Sequence, residues 1–155
     1  MSFKIVQNDI TKMVVDAIVN AANTKLKKGG GVCGAIFQAA GPKKLQEACD
    51  ELTPIKVGEA VITPGFNLKA KYIIHTVGPI YQHYSPEESR HHLEAAYLNS
   101  LELAVNNNCQ SIAFPLISSG IYGYPKDEAL EIAISTIQSF VENNEIEVFL
   151  VLFDR

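Results

Sequence analysis

The sequence predicts an α/β protein, a three-layer α/β/α sandwich built around one sheet of about six strands. Short apolar runs alternate along the chain with amphipathic segments of helical period. Several of these runs are apolar enough to be buried on both faces, as strands are when helices cover both sides of a sheet. The chain has 155 residues, 47% of them hydrophobic, which fits a single globular domain over 1–155.

Each predicted element follows from local patterning. The predicted strands cover 3–7, 17–20, 59–63, 72–77, 111–114 and 147–153. The predicted helices cover 31–40, 42–52, 86–107 and 125–143, with proline or asparagine at several of their ends. Each of the two longer helices has one apolar face, formed by Leu93, Tyr97, Leu101 and Ala104 in the first and by Ala129, Ala133, Ile137 and Phe140 in the second.

Charge and composition exclude several classes of protein. The net charge of −4 lacks the basic surface of a nucleic-acid binder, so nucleic acid is not an expected partner. The chain has no apolar run of transmembrane length and no signal-peptide pattern, so we predict a cytoplasmic protein with no membrane contact. Cys33, Cys49 and Cys109 are odd in number and lack metal-ligand spacing, so we expect reduced thiols and no metal site. No cofactor is expected either. No heptad seam stands out, and a monomer is expected.

The most informative segment is 19–36, where an apolar strand runs through Asn20 and Asn23 to Gly29-Gly30-Gly31 and then into a helix. Glycine removes the Cβ barrier to close approach, so backbone N–H groups can point at a bound anion. The start of the following helix adds the positive end of its dipole. The segment therefore predicts a site for a phosphate-bearing ligand.

A second loop, over 114–125, joins a predicted strand to a predicted helix through about ten residues, where 2–6 are usual. Ser118 and Ser119 offer hydroxyl donors, and Tyr122 could cover a sugar ring. Ligands in open α/β sheets bind beyond the carboxyl ends of the strands, where both loops are predicted to lie, so the two could hold a diphosphate between them. A surface loop rich in turn-forming residues is an equally good interpretation of this segment.

Five sequence blocks occur in the order seen in macro domains. They are Asn8-Asp9-Ile10-Thr11, Val19-Asn20-Ala21-Ala22-Asn23, Gly29-Gly30-Gly31-Val32, His75-Thr76-Val77-Gly78-Pro79 and Ser119-Gly120-Ile121-Tyr122-Gly123. The chain resembles the macro domain family over nearly its whole length, on motifs far more specific than one glycine-rich loop. The resemblance implies an α/β/α sandwich with a mixed sheet that binds ADP-ribose. It also implies an ADP-ribosyl ester hydrolase, acting on proteins mono-ADP-ribosylated on Glu or Asp or on O-acetyl-ADP-ribose.

The resemblance implies a set of ligand contacts. Asp9 and Ile10 would lie at the adenine, where a carboxylate accepts a hydrogen bond from the amino group, and the ring of Phe153 would lie against the base. The diphosphate and distal ribose would be contacted by Gly30, Gly31, Val32, Ser118, Ser119, Gly120, Ile121 and Tyr122. Taken by itself, Asp9 would more commonly close an Asx-turn, and Phe153 could be a plain core side chain.

Two catalytic residues are implied, Asn23 and Cys33. Asn23 matches the asparagine that hydrogen-bonds the distal ribose near the scissile bond, although asparagine before a glycine turn is also a common structural device. Cys33 stands where the best-known hydrolases of the family carry aspartate. It could act as a thiolate near a helix N-terminus, but we favour a small buried cysteine. We interpret His75, inside an apolar run, as a hydrogen-bonded core histidine, and Asn20 as a residue that ties loops together.

Two other functions remain open. Cys33 in place of aspartate favours a reader module that binds ADP-ribosylated partners without cleaving them. Gly29-Gly30-Gly31-Val32-Cys33-Gly34 also satisfies the G-x-G-x-x-G pattern of an NAD-dependent oxidoreductase. That match is weak, because eight residues separate Asn20 from Gly29 whereas the dinucleotide-binding turn opens directly after its strand.

Overall fold

A computed structural model describes residues 2–152 of the chain. Within that range one six-stranded sheet forms the middle layer, with strands β1 (Ser2–Gln7), β2 (Ala17–Ala21), β3 (Ala60–Pro64), β4 (Tyr72–Thr76), β5 (Ser111–Phe114) and β6 (Glu147–Leu152). Their order across the sheet is β1-β6-β5-β2-β4-β3. Only β3 runs antiparallel to its neighbour, β4, and the other pairs are parallel. The sheet is therefore mixed. The predicted contact of Phe153 with adenine lies outside the described residues.

Four helices cover the sheet: α1 (Gly31–Ala40), α2 (Pro42–Asp50), α3 (Pro86–Asn106) and α4 (Lys126–Val141). Ser85 caps α3 in a reciprocal capping box with Glu88, which satisfies N–H groups that the first turn leaves unpaired. α4 begins one residue later than predicted because Pro125 has an extended ψ of 128° and serves as the N-cap. Within residues 2–152, none of the helices combines the length and the apolar character that crossing a bilayer requires.

Two hydrophobic clusters, one on each face of the sheet, account for the three layers. On one face α3 and α4 bury Leu93, Tyr97, Ala133 and Ile137, and the ring of Tyr97 packs on Phe114 with centroids 5.1 Å apart. On the other face α1 and α2 bury large apolar side chains, including Ile36, Phe37 and Leu45. The predicted apolar faces of the two longer helices are thus the faces that pack on the sheet, and the predicted α/β/α sandwich is confirmed.

The parallel strands place their following loops together. β1, β2, β4, β5 and β6 all run in one direction, so their carboxyl ends lie along the same edge of the sheet. The residues that follow β1, β2, β4 and β5 therefore meet at that edge, as in other open α/β sheets that bind ligands there. These are the segments that carry the candidate residues.

Candidate functional site

The glycine loop, residues 22–30, leads from β2 to the N-terminus of α1. The first backbone hydrogen bond of α1 runs from Gly34 N to Gly30 O at 3.2 Å. The N–H groups of Gly31, Val32 and Cys33 precede this bond and therefore have no partner within their own helix. Together with the positive end of the helix dipole, they form a group of donors suited to an anion.

Backbone conformation or close packing explains two of the glycines in this segment, but not a third. Gly31 has φ +56°, a left-handed conformation that side chains disfavour. A Cβ on Gly34 would overlap the carbonyl oxygen of Gly29, so α1 approaches the loop as closely as it does only because that atom is missing. A Cβ on Gly30 would meet nothing within 4 Å. Packing therefore explains Gly34, whereas Gly30 borders open space where a ligand could approach.

The buried side chain of Tyr97 forms two hydrogen bonds to the backbone of the second loop, residues 115–124. The Tyr97 hydroxyl donates to Pro115 O at 3.3 Å and accepts from Ile117 N at 3.0 Å. Burial raises the pKa of this phenol well above its ordinary value, so the hydroxyl keeps its proton and its donor role. Tyr124 N donates to Ser118 O at 2.9 Å and closes the loop on itself.

The two serines of this loop differ. The hydroxyl of Ser119 is used within the loop, where it donates to Leu116 O at 2.8 Å. Ser118 is only 6% exposed and has φ +67°, a strained conformation for a residue with a side chain. Its Oγ lies against Gly78 and has no hydrogen-bond partner among the described residues. A buried hydroxyl without a protein partner costs free energy, so a water or a ligand is expected to supply the missing bond.

The two loops lie near one another at this edge of the sheet. Tyr122 of the second loop lies near Cys33 in the first turn of α1. Burial raises the pKa of the Tyr122 phenol, and the nearby thiol adds a smaller increase. Ile121, next to Tyr122, is 99% exposed. The structure thus brings together the residues that the sequence placed in two distant segments.

Asn23 and Cys33 both contact the backbone of Lys27. Asn23 Nδ2 donates to Lys27 O at 2.8 Å, and Asn23 Oδ1 accepts from Lys27 N at 3.0 Å. Cys33 Sγ lies 3.8 Å from the same carbonyl oxygen, and the cysteine is 7% exposed. Asn23 therefore has the structural role that the sequence left open for it. Its amide lies beside the first turn of α1, where a ligand held by that turn would meet it.

The structure places Asp9 and Ile10 after β1 at the same edge. Asp9 Oδ1 accepts from Thr11 N at 3.0 Å and from Thr11 Oγ1 at 2.6 Å, which caps a 3₁₀ turn over Ile10–Lys12. The Asx-turn alternative is thus present, and it occupies one of the two carboxylate oxygens. Ile10 is 6% exposed and packs in the cluster that also contains Cys33.

His75 is the hydrogen-bonded core histidine that the sequence predicts. It is fully buried, with Nδ1 3.1 Å from Asn20 Nδ2 and Nε2 3.0 Å from Thr63 Oγ1. The amide nitrogen of Asn20 can only donate, so Nδ1 accepts and Nε2 carries the proton. Asn20 therefore joins β2 to β4 through His75 and does not tie loops together, which corrects the expectation for that residue.

Burial lowers the pKa of His75 to about 4, and this predicts a pH-dependent stability. In the unfolded chain the imidazole has its ordinary pKa, so as the pH falls the unfolded state takes up a proton that the folded state does not. We expect His75 to lower the free energy of unfolding by up to about 3 kcal/mol between about pH 7 and about pH 4. Denaturant unfolding of the wild type and of His75→Gln over this range checks it. The stabilities of the two proteins should converge as the pH falls, and parallel profiles would contradict the prediction.

Fold and loops together define the class of protein: an α/β/α domain with a glycine-rich loop and a second long loop at the carboxyl edge of a mixed sheet. Residues 19–133 match the family model described as Macro domain. The chain belongs to the macro domain family, as the five sequence blocks predict. The fold agrees with that of solved macrodomains at TM-scores near 0.9.

Among its relatives, the chain is 47% identical over 158 residues to the O-acetyl-ADP-ribose deacetylase of Salmonella newport, with 98% of this chain and 87% of the relative covered. It is 48% identical over 147 residues to the ADP-ribose glycohydrolase MACROD2 of Xenopus laevis, with 95% of this chain but only 35% of that protein covered.

Two solved structures extend the comparison. A mutant of the Oceanobacillus iheyensis macrodomain with ADPR has a TM-score of 0.92 and 46% identity, and the match covers 97% of this chain and 84% of that one. The Trypanosoma brucei macrodomain in complex with ADP-ribose has a TM-score of 0.86 and 37% identity, with 97% and 63% covered.

Proposed function

We propose that this chain binds ADP-ribose in the cleft between the glycine loop and the second loop and hydrolyses ADP-ribosyl esters there. The observation that carries the proposal is that the loops at this edge offer both free N–H groups at the start of α1 and the buried, unpartnered hydroxyl of Ser118. Such a pairing of donors suits a diphosphate. The relatives named for O-acetyl-ADP-ribose deacetylation and ADP-ribose glycohydrolysis, and the neighbours with ADP-ribose, support the same choice of ligand.

Each group of residues has a role in this proposal. The amides of Gly30, Gly31 and Val32 bind the diphosphate from one side, and Ser118, Ser119, Gly120, Ile121 and Tyr122 from the other. Asp9 and Ile10, with Phe153, bind the adenine. Exposed lysines at positions 25, 27 and 28 of the glycine loop add a weak attraction for the anionic ligand, which solvent screens.

The proposed reaction is the addition of water to the ester. Asn23 holds the distal ribose beside the first turn of α1, so that a bound water attacks the ester and the bond to the ribose oxygen breaks. The products are a carboxylic acid, which loses its proton to solvent, and ADP-ribose with a free hydroxyl. Most of the rate enhancement comes from positioning, because Cys33 offers only a weak hydrogen-bonding group near the reacting atoms.

A reader module that binds ADP-ribosylated proteins without cleaving them is the second candidate. The observation in its favour is Cys33, whose thiol lies 3.8 Å from Lys27 O and supplies no carboxylate to orient a water. The NAD-dependent oxidoreductase is not supported. In a dinucleotide-binding unit a parallel strand follows the first helix, whereas here α2 follows α1 and the next strand, β3, is antiparallel.

The proposal includes a monomer that works in the cytoplasm on ADP-ribosylated proteins or on O-acetyl-ADP-ribose. The three cysteines are buried free thiols, which suits a reducing compartment. Gel filtration with light scattering tests the monomer, and a second copy bound at micromolar concentration would contradict it.

The deciding experiment measures the release of ADP-ribose from a protein mono-ADP-ribosylated on Glu and Asp, and in parallel from O-acetyl-ADP-ribose. We expect release from at least one of the two, with excess free ADP-ribose as a competitive inhibitor. Calorimetry with ADP-ribose on the same sample shows whether the cleft binds. Binding without release would establish the reader module, and absence of both in a folded sample would overturn the proposal.

The role of Cys33 gives a separate prediction. Cys33→Ala should keep turnover within about threefold of the wild type, because a thiol held on Lys27 O takes little part in positioning water. Cys33→Asp should raise turnover by at least about tenfold, since a carboxylate can accept a proton from the attacking water. Both are read as kcat with the affinity for ADP-ribose as control. Complete loss of turnover in Cys33→Ala with unchanged affinity would instead assign the thiol an active role.

A further inference from the structure

The side chain of Gln46, on α2, bonds to the backbone of the glycine loop at two points. Gln46 Oε1 accepts from Lys28 N at 3.0 Å, and Gln46 Nε2 donates to Leu26 O at 2.9 Å. The same Nε2 also donates to Asp50 Oδ1 at 2.9 Å, one helical turn further along. One amide group therefore binds the backbone on both sides of Lys27.

Asp50 completes this connection. Its Oδ1 also accepts from Lys27 Nζ at 3.0 Å, and the hydrogen bonds from Lys27 and then Gln46 lower the pKa of the carboxyl. The side chains of Lys27 and Asp50 are 56% and 47% exposed, so this ion pair adds little to stability. The ion pair instead orients the Gln46 amide and the Lys27 side chain towards each other.

The residue clamped in this way is the one to which the candidate catalytic residues are bonded. Both polar atoms of the Asn23 amide bond to the backbone of Lys27, and Cys33 Sγ contacts the carbonyl of that residue. A shift of Lys27 would therefore carry the Asn23 amide with it. Positioning errors of about 1 Å are enough to cost large factors in rate.

We call the two bonds from Gln46 to Leu26 O and Lys28 N the clamp. Overall stability does not require it. The adjoining Leu26 is 1% exposed in the core, and Ile55 N donates to Thr24 O at 2.9 Å, so the loop is anchored independently at two other points. The bonds to Gln46 lie at the partly exposed edge, where water replaces a lost hydrogen bond at small cost. These two anchors act at Leu26 and Thr24 and do not bond to the N–H or the carbonyl of Lys27.

We propose that Gln46, oriented by Asp50, is a positioning residue for Asn23: through the backbone on either side of Lys27 it sets where the Asn23 amide meets the distal ribose. The effect on turnover rests on the proposed hydrolase function. The effect on the Lys27 peptide is independent of it. Gln46 is not a catalytic residue, since it contacts only the loop and Asp50.

The test compares Gln46→Ala with Glu47→Ala, an exposed neighbour on the same helix. We expect Gln46→Ala to lower kcat about tenfold while KM and the Kd for ADP-ribose change less than about threefold, because the loss falls on the transition state. Amide exchange at Lys27, whose N–H bonds to Asn23 and not to Gln46, should accelerate about tenfold as the peptide is released. Glu47→Ala should match the wild type in every measurement.

Gln46→Glu supplies a second readout that a purely structural role would not change. The ionised carboxylate accepts from Lys28 N but cannot donate to Leu26 O or to Asp50, whereas the protonated form can donate once. Relative to wild type, kcat of this variant should therefore rise as the pH falls towards the carboxyl pKa. Asp50→Asn should partly rescue Gln46→Glu, because it removes the facing negative charge.

The outcomes separate the two proposals. A wild type that binds ADP-ribose without turnover overturns the hydrolase, and the Lys27 amide then decides the clamp on its own. Unchanged exchange at Lys27 in Gln46→Ala overturns the clamp, whatever the activity. Equal loss of kcat in Gln46→Ala and Glu47→Ala, or a fall in kcat that merely tracks a fall in Tm, likewise overturns it.

Discussion

Asn23→Ala is expected to lower the rate of ADP-ribose release about 100-fold. The substitution removes the amide that the proposed mechanism places on the distal ribose. It also frees Lys27 N and Lys27 O, which the amide binds at 3.0 and 2.8 Å in this structure. The measurement is single-turnover release from the ADP-ribosylated protein, with circular dichroism to confirm the fold.

Asn23→Asp separates the two roles of this amide. The carboxylate still accepts from Lys27 N but cannot donate to Lys27 O or to the ribose. We therefore expect a loss close to that of Asn23→Ala if donation to the ribose matters most. Asn143→Ala, an exposed asparagine just beyond α4, is the surface control and should retain full activity. Near wild-type release by Asn23→Ala would remove Asn23 from the mechanism.

Gly34→Ala is expected to destabilise the fold by about 1–3 kcal/mol and to abolish measurable ADP-ribose binding. The new methyl group would overlap the carbonyl oxygen of Gly29, a backbone atom that cannot move aside without displacing the loop from α1. Since the proposed diphosphate site is formed at this contact, binding should fail together with stability. Thermal unfolding and calorimetry with ADP-ribose measure the two effects.

Gly30→Ala is the matched control, four residues away on the same segment. A Cβ there meets no atom within 4 Å, and its φ of −89° suits any residue, so stability should stay within about 0.5 kcal/mol. Binding should still weaken, because the methyl group would stand where the ligand approaches. Were Gly30→Ala to bind ADP-ribose as tightly as the wild type, the ligand would have to lie elsewhere.

The sequence was a good guide to the elements of the fold. α1 (Gly31–Ala40) and β5 (Ser111–Phe114) have the predicted bounds, and the other elements differ by one to two residues at their ends, apart from the predicted end of β6 at Phe153, which lies outside the described residues. Local patterning suffices here because the apolar period and the capping residues are local properties. The two 3₁₀ turns, Ile10–Lys12 and Tyr81–His83, were missed, since three-residue turns have no apolar period to detect.

The candidate site was predictable in its segments but not in its bonds. Glycine-rich and asparagine-rich blocks after strands identify the loops, because backbone approach and turn formation restrict residue type locally. Gln46 carried no signal of its own, since its role depends on α2 lying against the glycine loop, twenty residues from Leu26 in sequence. The hydrogen bonds from Tyr97 to the second loop could not be predicted for the same reason.

The order of residues along this chain was enough for the α/β/α class, the membership of the macro domain family and the two loops of the candidate site, because each depends on short-range pattern or on motif order. Only the tertiary structure decided the rest. It showed that Ser118 is buried without a partner, that Asn23 is bonded to Lys27, and that Asn20 bonds to His75 in place of a loop. The Asn20–His75 contact in particular forms only because β2 packs beside β4 in a low-dielectric interior, where an unpaired polar atom is costly.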